Sequence, residues 1–173
     1  MVKESAASAN RRTDIVSAAI EVFAEIGYYR ATTAQVAERA SISQPYVYRF
    51  FTKESLLVEA INVSWERIVK AFQIVVDTEA NEQLEIGFIR AYEKIIESHR
   101  NEVLLQMQAQ TIQEEPVRDA MKKGMGNVKD LVENAFLEAG FTDAPERTSD
   151  FLARGMLCNV SMAMDMPNLL VKR

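Results

Sequence analysis

One long apolar stripe does most to limit what this chain can fold into. Leu57, Ala60 and Ile61, Ser64 and Trp65, Ile68, Phe72, and Val75 and Val76 recur at the helical period for more than five turns. A helix of that length is too long for one small bundle and must run from one part of the protein into another. The rest of the chain agrees with a helical reading. Only six glycines and four prolines punctuate 173 residues, so a few long elements are favoured over many short strands. A hydrophobic content of 48% supplies a core and is too high for a disordered chain. The expected fold class is all-α.

Residues 33–51 carry a denser signal. Thr33 is read as the cap of a short helix, AQVAERA, whose Val36, Ala37 and Ala40 share one face. Ser41-Ile42-Ser43 interrupts the pattern. Ser43 then caps a second short helix, with Pro45 in its first turn, where a missing N–H costs little. Two short helices joined by a tight turn form a helix-turn-helix, whose second helix enters the DNA major groove. That second helix is crowded with Gln44, Tyr46, Tyr48 and Arg49. Their tips hydrogen-bond and stack, which a helix made only to fill a core does not need.

Around this unit the chain resembles the TetR family of transcriptional repressors. The resemblance runs from Arg12 to about Ala60 and is carried by R-x-x-I-x-x-A-A from Arg12, F-x-x-x-G-Y from Phe23, T-T-x-x-x-A from Thr32, and S-Q-P-Y-V-Y-R-F-F-T-K-E-S-L-L from Ser43 to Leu57. One departure stands out: between the Phe closing the second helix and the Lys opening the next the family usually has two residues, and here Thr52 stands alone between Phe51 and Lys53. The resemblance implies a three-helix DNA-binding head over residues 1–52 and a ligand-binding and dimerisation body over residues 53–173. It also implies that Thr33, Ser43, Tyr48 and Lys53 touch phosphates while Gln44, Tyr46 and Arg49 face base edges. Amide and guanidinium groups suit adenine and guanine edges, and Tyr packs on a thymine methyl. For Tyr48 and Phe50, core packing is the alternative.

In chain order, residues 1–10 are polar and small and are read as a mobile arm, with Arg11 and Arg12 able to reach phosphates. A first helix follows, with Ile15, Ala19, Val22, Phe23 and Ile26 inward and Gly27 at its end. After the long fourth helix, Asn81 is a cap for a fifth that carries Leu84, Phe88, Tyr92, Ile95 and Ile96. Ile86 and Ile89 give it a second apolar flank. Asn101 restarts the chain, Glu114-Glu115-Pro116 opens a seventh helix, and Asp143-Ala144-Pro145 opens an eighth. Gly124 and Gly126 lie inside the seventh; a kink beside a ligand and a plain irregularity both fit them.

The body holds a soft apolar set: Trp65, Phe72, Phe88, Tyr92, Met107, Met121, Met125 and Met156. Methionine fills irregular space and tolerates varied ligands, so these residues are candidates for an effector pocket, with ordinary core as the alternative for each. The resemblance implies a small-molecule effector, a homodimer on a pseudo-palindromic operator, and release of the operator by the effector. The eighth helix presents Leu152, Gly155, Met156, Asn159, Val160 and Ala163 for pairing. Only six residues follow Pro167, so the seventh would supply the remainder through Leu131, Ala135 and Glu138.

Other classes find little support. His99 and Cys158 are the only histidine and cysteine, without the spacing of a metal site or a nucleophilic pair, so no catalytic residue, metal or cofactor is expected. One cysteine suits a reducing cytoplasm, and no apolar run approaches the roughly 20 residues of a membrane span. Net charge is −5, but residues 1–60 hold seven basic and seven acidic side chains, so the deficit lies in the body. A neutral head binds DNA through a few placed phosphate contacts and binds random DNA poorly.

Overall fold

A computed structural model of the protein describes residues 2–169, with side chains from Asn10 onward. Among these residues there are eight α-helices and no strand: α1 Val2–Ile26, α2 Thr33–Arg39, α3 Gln44–Tyr48, α4 Lys53–Thr78, α5 Leu84–Ser98, α6 Arg100–Ala109, α7 Glu115–Glu138 and α8 Ala144–Ala163. No helix among them is long and apolar enough to cross a membrane. The all-α expectation holds.

The predicted stripe makes α4 the axis of the molecule. Leu56, Leu57, Ala60, Ile61, Ser64, Trp65, Ile68, Phe72 and Val75 are buried along it. They pack against α1, α5, α6 and α7. Thr52 starts the helix with a capping box, its hydroxyl accepting from the Ser55 N–H while the Ser55 side chain accepts from the Thr52 N–H. Toward its far end, the Phe72 ring meets Phe88 and Phe151 at centroid distances of 5.0 and 5.7 Å, and Phe88 meets Phe136 at 6.0 Å. Such tilted and edge-on pairs contribute about 0.5–1.5 kcal/mol each beyond area burial.

Several local expectations are corrected. Helix α1 already runs from Val2, so residues 2–10 continue its first turns rather than forming an arm; Met1 lies outside the described residues. Arg12 is engaged within the fold, bonded to Glu59 at 3.0 Å with its guanidinium 4.5 Å from the Phe51 centroid. Asn81 begins a single 3-10 turn and gives α5 no side-chain cap. Ile86 is 45% exposed, so the second flank of α5 is covered only at Ile89, because its neighbours lie on the other face. Gly27 ends α1 at φ +85°, a left-handed conformation that turns the chain toward α2.

Gly124 has a packing reason. A Cβ there would stand 2.1 Å from Cδ1 and Cγ of Trp65, so the indole edge lies directly on the α7 backbone. Around Gly126 nothing comes within 4 Å.

Candidate nucleic-acid interface and ligand cavity

The helix-turn-helix forms as α2, a tight turn and α3. Thr32, not Thr33, caps α2: its hydroxyl accepts from the Gln35 N–H, and the Gln35 side chain returns a bond to the Thr32 N–H. Thr33 is therefore the first helical residue and is buried. Ser41 turns the chain at φ 55° while Ile42 packs on the core. Ser43 occupies the cap position of α3 without a side-chain cap bond. Helix α3 is short because Val47, fully buried, is its one deep anchor. Its other side chains are left to the surface.

Those surface groups are organised. Thr33 Oγ1 donates to the Tyr48 phenol oxygen at 2.8 Å, and Gln44 Nε2 lies 3.0 Å from Thr33 Oγ1 and 3.3 Å from that phenol. The half-buried Tyr46 ring meets Phe50 edge-on at 5.3 Å, and the Arg49 guanidinium sits 5.3 Å from its centroid. Tyr48 is 59% exposed, whereas Phe50 is partly buried against the core. Lys53 is folded back, its Nζ 3.3 Å from the Tyr29 carbonyl and 4.8 Å from the Tyr28 ring centroid. Helix α3 closes at Tyr48 rather than at Phe51, which is a buried loop residue, and Thr52 alone separates Phe51 from Lys53.

Beneath α4 a cleft is lined by Trp65, Ile68, Phe72, Tyr92, Gln106, Gln110, Met125, Val128, Phe151, Leu152, Gly155, Met156 and Asn159. Of its roughly 500 Å³ of empty space, only about 50 Å³ is wide enough for the centre of a water molecule. Five expected pocket residues meet here: Trp65, Phe72, Tyr92, Met125 and Met156. Phe88 does not, being closed inside the aromatic cluster; Met121 is core, and the half-buried Met107 of α6 is not among the lining residues. Gln106 and Gln110 escaped sequence reasoning, although amides at i and i+4 in an apolar stretch are a legible signal, and Asn159 was expected at a pairing face rather than here.

The polar wall is tied to the fold. Gln106 is 3% exposed and donates to Ser64 Oγ at 3.0 Å. Tyr92 donates to Asn159 Oδ1 at 2.8 Å, and burial pushes its pKa up to about 12. The Trp65 Nε1–H is buried without a protein acceptor. Leu152, Gly155, Met156 and Asn159, expected on a partner-facing surface, line this chain's own cleft. Burial raises the Cys158 thiol pKa, and His99 Nδ1 lies 2.8 Å from Ser98 Oγ. Among the described residues, no three His, Cys, Asp or Glu side chains are grouped to hold a metal ion.

Residues 15–61 match the family of bacterial regulatory proteins, tetR family. Over that segment the chain is similar to the tetR family. The HTH-type transcriptional repressor KstR2 of Mycobacterium tuberculosis is 28% identical over 110 residues, which cover 62% of this chain and 55% of that protein. The match thus spans about half the length of that relative. Two solved structures share the fold: the fatty acid degradation regulator FadR from Bacillus halodurans (TM-score 0.75, 18% identity, 88% of each chain) and FadR from Bacillus subtilis in complex with stearoyl-CoA (TM-score 0.73, 17% identity, 88% of each chain). The family match covers the second half of α1, α2, α3 and the first turns of α4.

Proposed function

We propose that this protein is a cytoplasmic transcriptional repressor that binds a pseudo-palindromic operator as a dimer and is released by a small apolar or amphipathic effector. The observation that carries the reading is the surface set Gln44, Tyr46 and Tyr48 on α3 with Arg49 at its C-cap, inside the family match. Residues 1–52 form the DNA-binding head and residues 53–173 the effector-binding and dimerising body. The cleft under α4 supplies the effector site. Its aromatic and thioether wall with three amides suits a long apolar molecule bearing oxygens, as does its likeness to a fold solved with stearoyl-CoA. So little of the cleft admits water that the effector has to widen it, and the route to the head is short. Helix α6 lines the cleft through Gln106 and grips the head through Gln108 Nε2, which donates to the Ala24 carbonyl at 2.8 Å. An effector that favours the widened state shifts the equilibrium by its differential affinity for the two states.

For the dimer, the face of α8 away from the cleft carries Ala153, Leu157, Val160 and Met164 at i, i+4, i+7 and i+11. Leu157 is 40% and Met164 61% exposed there, and Leu137 on α7 is 50% exposed. This exposed apolar stripe extends the pairing surface that α8 offers a second copy. The test has two arms. The full chain should select one two-fold-related motif from a random-sequence duplex library. Stearoyl-CoA should then release that duplex over the concentration range in which Trp65 emission changes. Failure to enrich any motif, or sedimentation as a monomer on the selected duplex, refutes the reading.

A further inference from the structure

The cleft under α4 and a small groove along the α5–α8 seam share one wall. Tyr92, Phe151 and Gly155 line both. The groove is otherwise bounded by Ile89 and Glu93 of α5 and by Arg154 and Cys158 of α8, and encloses roughly 280 Å³ that opens to solvent. Arg154 and Cys158 stand at i and i+4 on a flank of α8 apart from the Leu157 and Met164 stripe. On the α5 side the wall is fixed. The Tyr92 phenol donates to Asn159 Oδ1 at 2.8 Å, and its ring meets Phe72 edge-on at 6.3 Å. Its thickness is therefore set from α8, by residue 155. A methyl built there would meet only Cε1 of Tyr92, at 3.9 Å, an ordinary contact. Neither backbone nor packing requires this glycine. Positive φ belongs to Gly27 and Gly140, and crowding neighbours belong to Gly87 and Gly124. Glycine inside a helix is destabilising relative to alanine, and what its missing side chain leaves here is a wall one ring thick.

We propose that the effector is a flexible linear chain that runs along the cleft, passes between the Tyr92 ring and the bare backbone of Gly155, and ends in the groove beside Cys158. The proposal rests on the effector reading above and narrows its ligand to one class. At its present width the seam is closed to a chain of carbon atoms, and it opens with the same widening that the cleft requires. The other end of the chain lies by exposed Gln110, whose Nε2 is 4.0 Å from Met156 Sδ, where a polar head stays in water. Gly155 is the specificity-determining residue: short chains end before it, and long chains need it bare.

Two native reporters separate the compartments. Trp65, the only tryptophan, lines the cleft and not the groove, and Cys158, the only cysteine, lines the groove and not the cleft. The probes, added to the full chain, are octanoyl-CoA and stearoyl-CoA, which share a head and differ in chain length. Both should titrate Trp65 emission. At saturation, stearoyl-CoA should protect Cys158 from alkylation by N-ethylmaleimide, read by mass spectrometry, and octanoyl-CoA should leave the rate unchanged. Gly155→Leu should lose that protection and weaken stearoyl-CoA binding about tenfold or more, the worth of roughly two buried methylene groups. Its affinity for octanoyl-CoA should change less than about threefold.

If stearoyl-CoA moves Trp65 emission yet leaves Cys158 as reactive as octanoyl-CoA does, the effector reading stands and the passage is refuted, whether or not Gly155→Leu folds. Equal loss of both chain lengths in folded Gly155→Leu refutes the role of residue 155 in selecting length. A Cys158 that is inert in the free protein shows the groove to be shut and overturns the proposal. If neither acyl-CoA alters Trp65 emission, the effector reading itself fails, and the passage with it.

Discussion

Two glycines two residues apart on α7 should respond to the same substitution with opposite sign. In Gly124→Ala the new methyl would stand 2.1 Å from Cδ1 and Cγ of Trp65 and 2.5 Å from its Nε1. Carbon atoms in contact settle at about 3.5–4.0 Å, so the ring and the helix must separate by roughly 1.5 Å. Trp65 is only 8% exposed and is wedged between α4 and α7. Little of the adjoining cleft is wide enough to receive a displaced ring. Overpacking of this kind costs about 1–3 kcal/mol, and so deep an overlap belongs at the upper end. Replacing a helical glycine by alanine returns about 1 kcal/mol, leaving a net loss of about 2 kcal/mol. For a chain of this size that lowers Tm by about 4–8 °C. Gly126→Ala meets nothing within 4 Å and keeps only the gain, raising Tm by about 2–4 °C. Thermal melts followed by circular dichroism measure both. Trp65 emission, from the only tryptophan, should shift in Gly124→Ala alone. If Gly124→Ala is as stable as the wild type, or both variants move Tm the same way, the close packing of Trp65 on α7 is refuted.

Three further outcomes follow from local geometry. Thr32→Ala removes a working cap and should cost about 1 kcal/mol in urea unfolding, whereas Ser43→Ala, with no cap bond to lose, should cost less than about 0.5 kcal/mol. Arg67→Ala strands Glu102, which is 7% exposed and receives both of its bonds, at 2.8 and 3.1 Å, from Arg67 Nε. Because Arg67 is 40% exposed and water can replace it in part, the loss should be about 1–2 kcal/mol, and Arg67→Met with Glu102→Leu should recover most of it. The Tyr92 pKa, pushed up to about 12 by burial, makes alkaline stability a test. The unfolded phenol ionises near pH 10 and the folded one near 12, so Tyr92 contributes fully below pH 10 and the contribution is lost as pH rises from 10 to 12. Tyr92→Phe should flatten the stability profile over that window; an unchanged profile would show that the phenol is not buried.

What the amino-acid order determined by itself was periodic or short-range. The α4 stripe, the two short helices around Ser41-Ile42-Ser43, and the prolines at the starts of α3, α7 and α8 are set by spacing and by backbone chemistry within a few residues. They could be read without knowing what lies opposite. The misreadings share the reverse property. Thr32 and Thr33 are equally good caps on paper, and only the packing of α2 against α1 and α3, which buries Thr33, makes Thr32 the cap. Asn81 and residues 2–10 were misjudged because a helix start depends on what the preceding chain packs against as well as on the capping residue. The α8 stripe shows the same limit. Leu152, Gly155, Met156 and Asn159 have the composition of a docking face, but helical periodicity only says that they share a side. The placement of Trp65, Phe72 and Gln106 opposite them makes that side the wall of a cleft. The orientation of Gln44 is likewise invisible in sequence, because it depends on a hydroxyl eleven residues away brought to 3.0 Å by the turn. Periodicity identifies the face of a helix, and only the tertiary arrangement decides what that face meets.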